Sequence, residues 1–194
     1  TLADSNATFL AQAGGKKATT RLVDVSDRNA LTAVAKGHAA VVSALPFFLN
    51  PGVAQVCADV GAHYFDLTED VETTRAVRAI AKTSALAFAP QCGLAPGFIS
   101  IVANHLAKSF DSLREVHMRV GALPEFPANA LKYNLTWSTD GLINEYCNPC
   151  EAIHENKLVE VMPLEGLERF SLDGIDYECF NTSGGLGTLC ETLE

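Results

Sequence analysis

From Thr1 to Phe110 the apolar residues fall into short unbroken runs, separated by longer stretches in which they recur every three or four positions. Runs at Arg21–Val25, Ala39–Ala44, His63–Asp66 and Leu86–Ala89 have strand length, and Thr1-Leu2-Ala3-Asp4 has the character of a strand's last residues. The stretches Asp27–Ala35, Pro51–Val60 and Val71–Lys82 have helical spacing, and further helices are expected after Ser5 and from Phe98. Ser5 is the expected N-cap of the first, Asn50 the cap and Pro51 the first-turn residue of another. Continuous apolar strands alternating with helices of about ten residues predict βαβ units around a buried parallel sheet.

The pattern changes after Phe110. Arg114–Val120 places Val116, Met118 and Val120 on one face and Glu115, His117 and Arg119 on the other, and Lys132–Trp137 alternates likewise. A helical segment Thr139–Tyr146 is followed by a predicted hairpin (Ala152–His154 and Leu158–Val161) and by strands at Phe170–Leu172 and Tyr177–Phe180. This is the texture of a mostly antiparallel α+β domain. The expected organisation is therefore a doubly wound, Rossmann-type α/β domain over residues 1–112 and an α+β domain over residues 113–194. Leu123-Pro124-Glu125-Phe126-Pro127 reads as an exposed loop of lid type.

Right-handed crossovers bring strand-to-helix loops to one edge of a parallel sheet, where ligands bind beyond the carboxyl ends of the strands. The loops so placed are Asp4-Ser5, Asp24-Val25-Ser26, Ser43-Ala44-Leu45-Pro46, Asp66–Asp70 and Cys92–Gly97. Asp4 at a strand end can accept hydrogen bonds from an adenosine ribose and repel a 2′-phosphate, which favours NAD over NADP; Lys16, Lys17 and Arg21 are the nearest cations. The small residues after Val41-Val42 leave space for a phosphate or ribose. Asp24 or Ser26 can simply cap the helix that follows, and capping explains such residues more often than ligand contact does. Gly93 and Gly97 either let backbone approach a flat ligand or turn a plain strand-to-helix corner, with Pro96 suited to a helix start. Thr182-Ser183-Gly184-Gly185 is either an ordinary capped helix start or a seat for a substrate carboxylate.

Charge and cysteine content narrow the class. A net charge of −9 and a pI near 5.0 argue against nucleic acid and anionic membranes as partners. No apolar run has the length to span a bilayer. Six scattered cysteines suit a reducing cytoplasm better than a disulfide scaffold. Cys147-Asn148-Pro149-Cys150 lacks the second pair a zinc site needs, follows a helix where a redox CxxC begins one, and reads as core thiols. The histidines show no metal-ligand spacing, so no metal is expected. Because the chain opens on a strand end and closes in a helical pattern, it reads as a segment cut at both ends. A glycine-rich phosphate loop is expected upstream of Thr1, and without it the segment is expected to bind NAD poorly.

Taken in order, Ser43-Ala44-Leu45-Pro46, Tyr64-Phe65-Asp66-Leu67-Thr68-Glu69, Pro90–Gly97, Gly141–Tyr146 and Thr182–Leu186 resemble the saccharopine dehydrogenase family, in particular its lysine 6-dehydrogenase-like members. The resemblance implies a Rossmann domain followed by a substrate and dimerisation domain. It also implies an NAD-dependent oxidative deamination of a small amino acid, L-lysine at its 6-amino group, in a homodimer. Asp66 and Glu69 are then the expected base and ammonium partner, with Cys92 beside the nicotinamide. Thr182, Ser183 and Gly184 hold the substrate carboxylate. The cofactor is then expected against Asp4, Ser5, Asp24, Val25, Ala44, Leu45, Pro46, Thr68, Gly93, Leu94, Ala95 and Pro96. Saccharopine reductases tend to carry Asp where this chain has Ala95, which turns the expectation from a dicarboxylate opine toward lysine. The alternatives are a saccharopine- or carboxynorspermidine-type reductase using NADP(H), and a non-catalytic dinucleotide-binding module.

Overall fold

The computed structural model describes residues 1–13, 18–121, 123–130 and 132–193; Lys16 and Lys17, weighed above as cations near Asp4, lie outside them. The chain forms two units, one of Thr1–Asp66 with Glu72–Pro90 and the other of Leu67–Val71 with Gln91–Glu194.

The first unit alternates strand and helix: β1 (Leu2–Asp4), α1 (Ala7–Ala13), β2 (Thr20–Leu22), α2 (Arg28–Ala35), β3 (Ala40–Ser43), α3 (Asn50–Val60), β4 (His63–Asp66), α4 (Val71–Ala81) and β5 (Phe88–Ala89). Among the described residues, the strand pairings of this unit are parallel. β1 pairs with β2, and β3, β4 and β5 form a second sheet in that order. In the second sheet Ser43 stands opposite Asp66 at the carboxyl ends of β3 and β4. The core joins Leu31 and Ala35 of α2, Val53, Ala54, Val56 and Cys57 of α3, Tyr64 of β4 and Val77 of α4. Burying each large apolar side chain there is worth about 1.5–3 kcal/mol, which is why the period of three to four forecast these helices.

The capping residues differ from the sequence expectation in instructive ways. Asn6, rather than Ser5, starts α1: its Oδ1 accepts from the N–H groups of Thr8 and Phe9 at 2.9 and 3.2 Å. Asp27 caps α2 through Asn29 and Ala30. Asn50 does not cap α3. A 3₁₀ turn at Phe47–Leu49 precedes the helix, and the buried Asn50 side chain accepts from the Ser43 hydroxyl at 2.7 Å. A buried hydroxyl at the end of the preceding strand thus claims the amide oxygen.

The second unit carries α5 (Phe98–Ala107), α6 (Thr139–Cys147), the hairpin β6 (Cys150–His154) and β7 (Lys157–Val161), the hairpin β8 (Glu168–Leu172) and β9 (Ile175–Cys179), and α7 (Leu189–Thr192). Both hairpins are antiparallel. Asp173 and Gly174, at φ 52° and 78°, close β8–β9 as Asp-Gly turns do.

Two predicted strands are absent. Arg114–Val120 is irregular and engages β8 through side chains, with His117 and Arg119 paired to Glu168 and the Arg119 guanidinium 5.5 Å over the Phe170 ring. Lys132–Trp137 is irregular because Asn129 captures its backbone: its amide donates to the Tyr133 carbonyl and its Oδ1 accepts from the Tyr133 N–H. Alternation marks a strand only where a neighbouring strand supplies the ladder.

Candidate active site

In the first unit the polar residues sit where strands end. Asp4 closes β1, half-buried, with its Oδ1 accepting from the Asn6 N–H at 2.7 Å. Ser5 beside it is exposed. Arg21 donates to the Thr20 carbonyl. After β2, Asp24 accepts from both the N–H and the hydroxyl of Ser26, which holds its carboxyl below the ordinary range. Val25 packs against the core. After β3, Ala44 is exposed, Leu45 leans on the core and Pro46 enters the 3₁₀ turn.

Asp66, at the end of β4, is fully buried and accepts from the Tyr64 hydroxyl at 2.7 Å. Burial first, and then the bond to Asp66, push the Tyr64 phenol far above its usual value. The segment Thr68-Glu69-Asp70 that follows is buried within the second unit, Thr68 accepting from the Asp70 N–H at 3.1 Å.

The acidic centre of the second unit is a pair, Glu69 and Glu145. Glu145 lies on α6, which Ser138 caps through the Gly141 N–H at 3.1 Å. Gly141, one turn before Glu145 on that helix, is buried, and a Cβ there would stand 3.0 Å from Glu69 Oε1 and inside the Trp137 ring. Burial, and then the charge of Glu69, raise the Glu145 carboxyl to about 7. Sequence reading singled out Glu69 but passed over Glu145, because a glutamate between polar neighbours on a helix reads as a solvated face. The signal that could have found it is Gly141, a small residue at i−4 that admits another element against the same face.

The turn Cys92–Gly97 folds upon itself. Phe98 N–H donates to the Gly93 carbonyl at 2.9 Å, Gly97 has φ 128°, and a Cβ on Gly97 would overlap the Gly93 oxygen. The turn's own closure therefore requires that glycine. α5 begins at Phe98 with Gly97 as its cap, so Pro96 lies ahead of the helix instead of in its first turn. Pro96 is buried, with the Cβ position of Gly187 3.1 Å away, and Ser100 donates to the Leu186 carbonyl at 3.1 Å. Cys92 and Leu94 are exposed, and Gly93 and Ala95 half-buried.

Thr182 and Gly184 are half-buried and Ser183 is buried. Both Ser183 donors go to protein carbonyls, its N–H to Glu145 at 2.9 Å and its hydroxyl to Pro149 at 2.8 Å. The helix expected to start at this run begins only at Leu189, because Gly184 and Gly187, at φ 78° and 60°, turn the chain first. Among the described residues no group of three or more His, Cys, Asp or Glu is placed to hold a metal ion, and no helix is long and apolar enough to cross a membrane.

Comparison with known proteins covers both halves of the chain. The model of the saccharopine dehydrogenase NADP binding domain matches residues 1–90, and that of the saccharopine dehydrogenase C-terminal domain matches residues 93–191. Among solved structures, the chain is similar to apo histidine-tagged saccharopine dehydrogenase (L-Glu forming) from Saccharomyces cerevisiae, with 24% identity and a TM-score of 0.60. That match takes in 92% of this chain and 42% of the yeast chain; the likeness is one of fold.

Proposed function

Because this chain belongs to the saccharopine dehydrogenase family, we propose that its protein is a nicotinamide-dependent oxidoreductase acting on the C–N bond of an amino acid. Its reaction in this reading is the oxidative deamination of L-lysine at the 6-amino group, giving the semialdehyde and ammonia. The observation that carries the reading is the pair of buried Glu69 and half-buried Glu145, the carboxyl of Glu145 raised to about 7.

The first unit fits a dinucleotide. Asp4 presents a half-buried carboxylate at the end of a parallel strand, and Ser43 and Ala44 keep the side chains small at the end of another. Asp4 would take the ribose hydroxyls, which supports NAD over NADP. The nicotinamide supplies the hydride acceptor when bound. The chain's own task is the proton. A substrate ammonium must lose one before its carbon can release hydride, and a carboxylate that titrates near the working pH is suited to accept it. Glu145 is assigned that role, and Glu69 the charge that attracts the ammonium and sets the strength of the base. Asp66, bound to Tyr64, steadies the strand that leads into Glu69.

A second reading comes from the names of the relatives. The yeast protein is a saccharopine dehydrogenase and the matching domain an NADP binding one, so a reductase that joins an amine to a carbonyl compound is the competitor. Incubating the complete protein with lysine and NAD, and separately with amine, keto acid or aldehyde and NADPH, distinguishes the two through the absorbance of reduced nicotinamide. Lysine-dependent NAD reduction is expected, and Glu69→Gln and Glu145→Gln are each expected to slow it by about 10²–10⁴-fold. Unchanged turnover in both variants would remove the acids from the chemistry.

A further inference from the structure

We propose that Ser183-Gly184 is a positioning clamp that holds Glu69 and Glu145 at a fixed separation. The inference begins with a missing donor. In α6 the Asn148 N–H reaches the Asn144 carbonyl at 3.2 Å, and the next bond in that register would run from residue 149 to the Glu145 carbonyl. Residue 149 is proline and has no N–H. The carbonyl of Glu145 is therefore one of the orphan acceptors of a helix end, and the Ser183 N–H takes the place of the absent donor at 2.9 Å. The Ser183 hydroxyl donates to the carbonyl of Pro149 itself at 2.8 Å. One buried serine thus pins the helix end at two points four residues apart in sequence.

The adjoining residue grips the other acid. Gly184 has φ 78°, and a Cβ on it would overlap the Glu69 carbonyl oxygen and stand 2.9 Å from the Glu69 carbonyl carbon and 3.2 Å from its Cβ. The chain lies directly on the Glu69 backbone, and only glycine permits that approach. On its carboxylate side Glu69 Oε1 lies 3.0 Å from the position a Cβ on Gly141 would take, a position Trp137 also crowds. Two consecutive residues therefore fix the backbones of both carboxylates, and like charges repel in inverse proportion to their separation. Glu69 is the charged group acting on Glu145, whereas Ser183, Gly184, Gly141 and Trp137 carry no charge. Ser183 and Gly184 act through the two acids, so their part in turnover rests on the catalytic reading above, but their effect on titration does not.

The complete protein labelled with ¹³C in its glutamate carboxyls provides the test, with Glu145→Gln identifying the Glu145 signal. In Ser183→Ala the Glu145 midpoint is expected to fall by about one unit toward the ordinary carboxylate range, and the pH limb of kcat to move with it while KM changes less. Ser183→Thr, which keeps both donors, is expected to titrate like the parent. A folded Ser183→Ala protein whose Glu145 midpoint stays in place overturns the clamp, as does a Ser183→Thr protein shifted as far as the alanine variant. Should Ser183→Ala not fold, Ser183→Cys, similar in size with a weak donor, is read by the same criterion. The titration is recorded without substrate. A moved midpoint with turnover indifferent to Glu145→Gln would thus keep the clamp and discard the catalytic assignment.

Discussion

Replacing Glu145 by glutamine should make the protein more stable while impairing it. The carboxyl of Glu145 is raised from 4.5 to about 7 in the fold, first by burial and then by Glu69. Between those values the native state holds a proton that the unfolded chain has released, so stability falls as pH rises through this window. Above about 7 the full penalty of a charged Glu145 is in place; below 4.5 there is none. At face value the displacement corresponds to about 3 kcal/mol. The carboxyl is only half-buried, and surrounding water reduces the cost to about 1–2 kcal/mol. Glutamine keeps the shape and cannot ionise. Urea denaturation of Glu145→Gln is therefore expected to show a gain of about 1–2 kcal/mol at pH 8 that fades by pH 4, with m unchanged. Trp137, the one tryptophan in these 194 residues, reports the transition from beside Gly141. A stability difference independent of pH, or a loss at pH 8, would refute the argument that the fold raises the Glu145 carboxyl, first by burial and then by Glu69.

On the reading that Asp4 takes the ribose hydroxyls, Asp4→Ala should shift the NAD-to-NADP ratio of kcat/KM toward NADP by about tenfold, equivalent to about 1.4 kcal/mol, measured with the two cofactors side by side; an unchanged ratio would place the ribose elsewhere. Tyr64→Phe removes a donor from the buried Asp66 and should cost about 1–3 kcal/mol in denaturant, with kcat on lysine reduced less than tenfold. A kcat loss of a hundredfold or more would return Asp66 to the proton chemistry.

The first unit was the legible part of the sequence. Val41-Val42 and Tyr64-Phe65 are continuous apolar runs, and the helices between them keep a single apolar stripe, so period and length were sufficient to forecast parallel pairing. What local pattern misjudged was decided by contacts outside the repeat that the pattern reads. Asn50 has a capping side chain but meets Ser43; Val116–Val120 alternates but has no strand beside it; Pro96 suits a first turn but is taken into the packing beneath Gly187. At the acidic centre, Glu69 stood out because it follows a strand. Glu145 did not, since its significance depends on Pro149 withholding a donor and on Ser183, 38 positions downstream in this numbering, supplying one. The glycines at 97 and 184 look in the sequence like room for a ligand, and in the structure that room is occupied by the chain's own backbone.

The five residues Leu67–Val71 belong by packing to the second unit, although the chain on either side of them belongs to the first. The boundary in sequence and the boundary in space therefore disagree at the segment that carries Glu69 and Asp70. A chimera joined at residue 90 would inherit Glu69 from one parent and its seat, Gly141 with Ser183-Gly184, from the other. The halves of such a chain are not interchangeable cassettes: exchange between relatives has to move this pentapeptide together with the downstream half, and drift in either piece is answerable to the other.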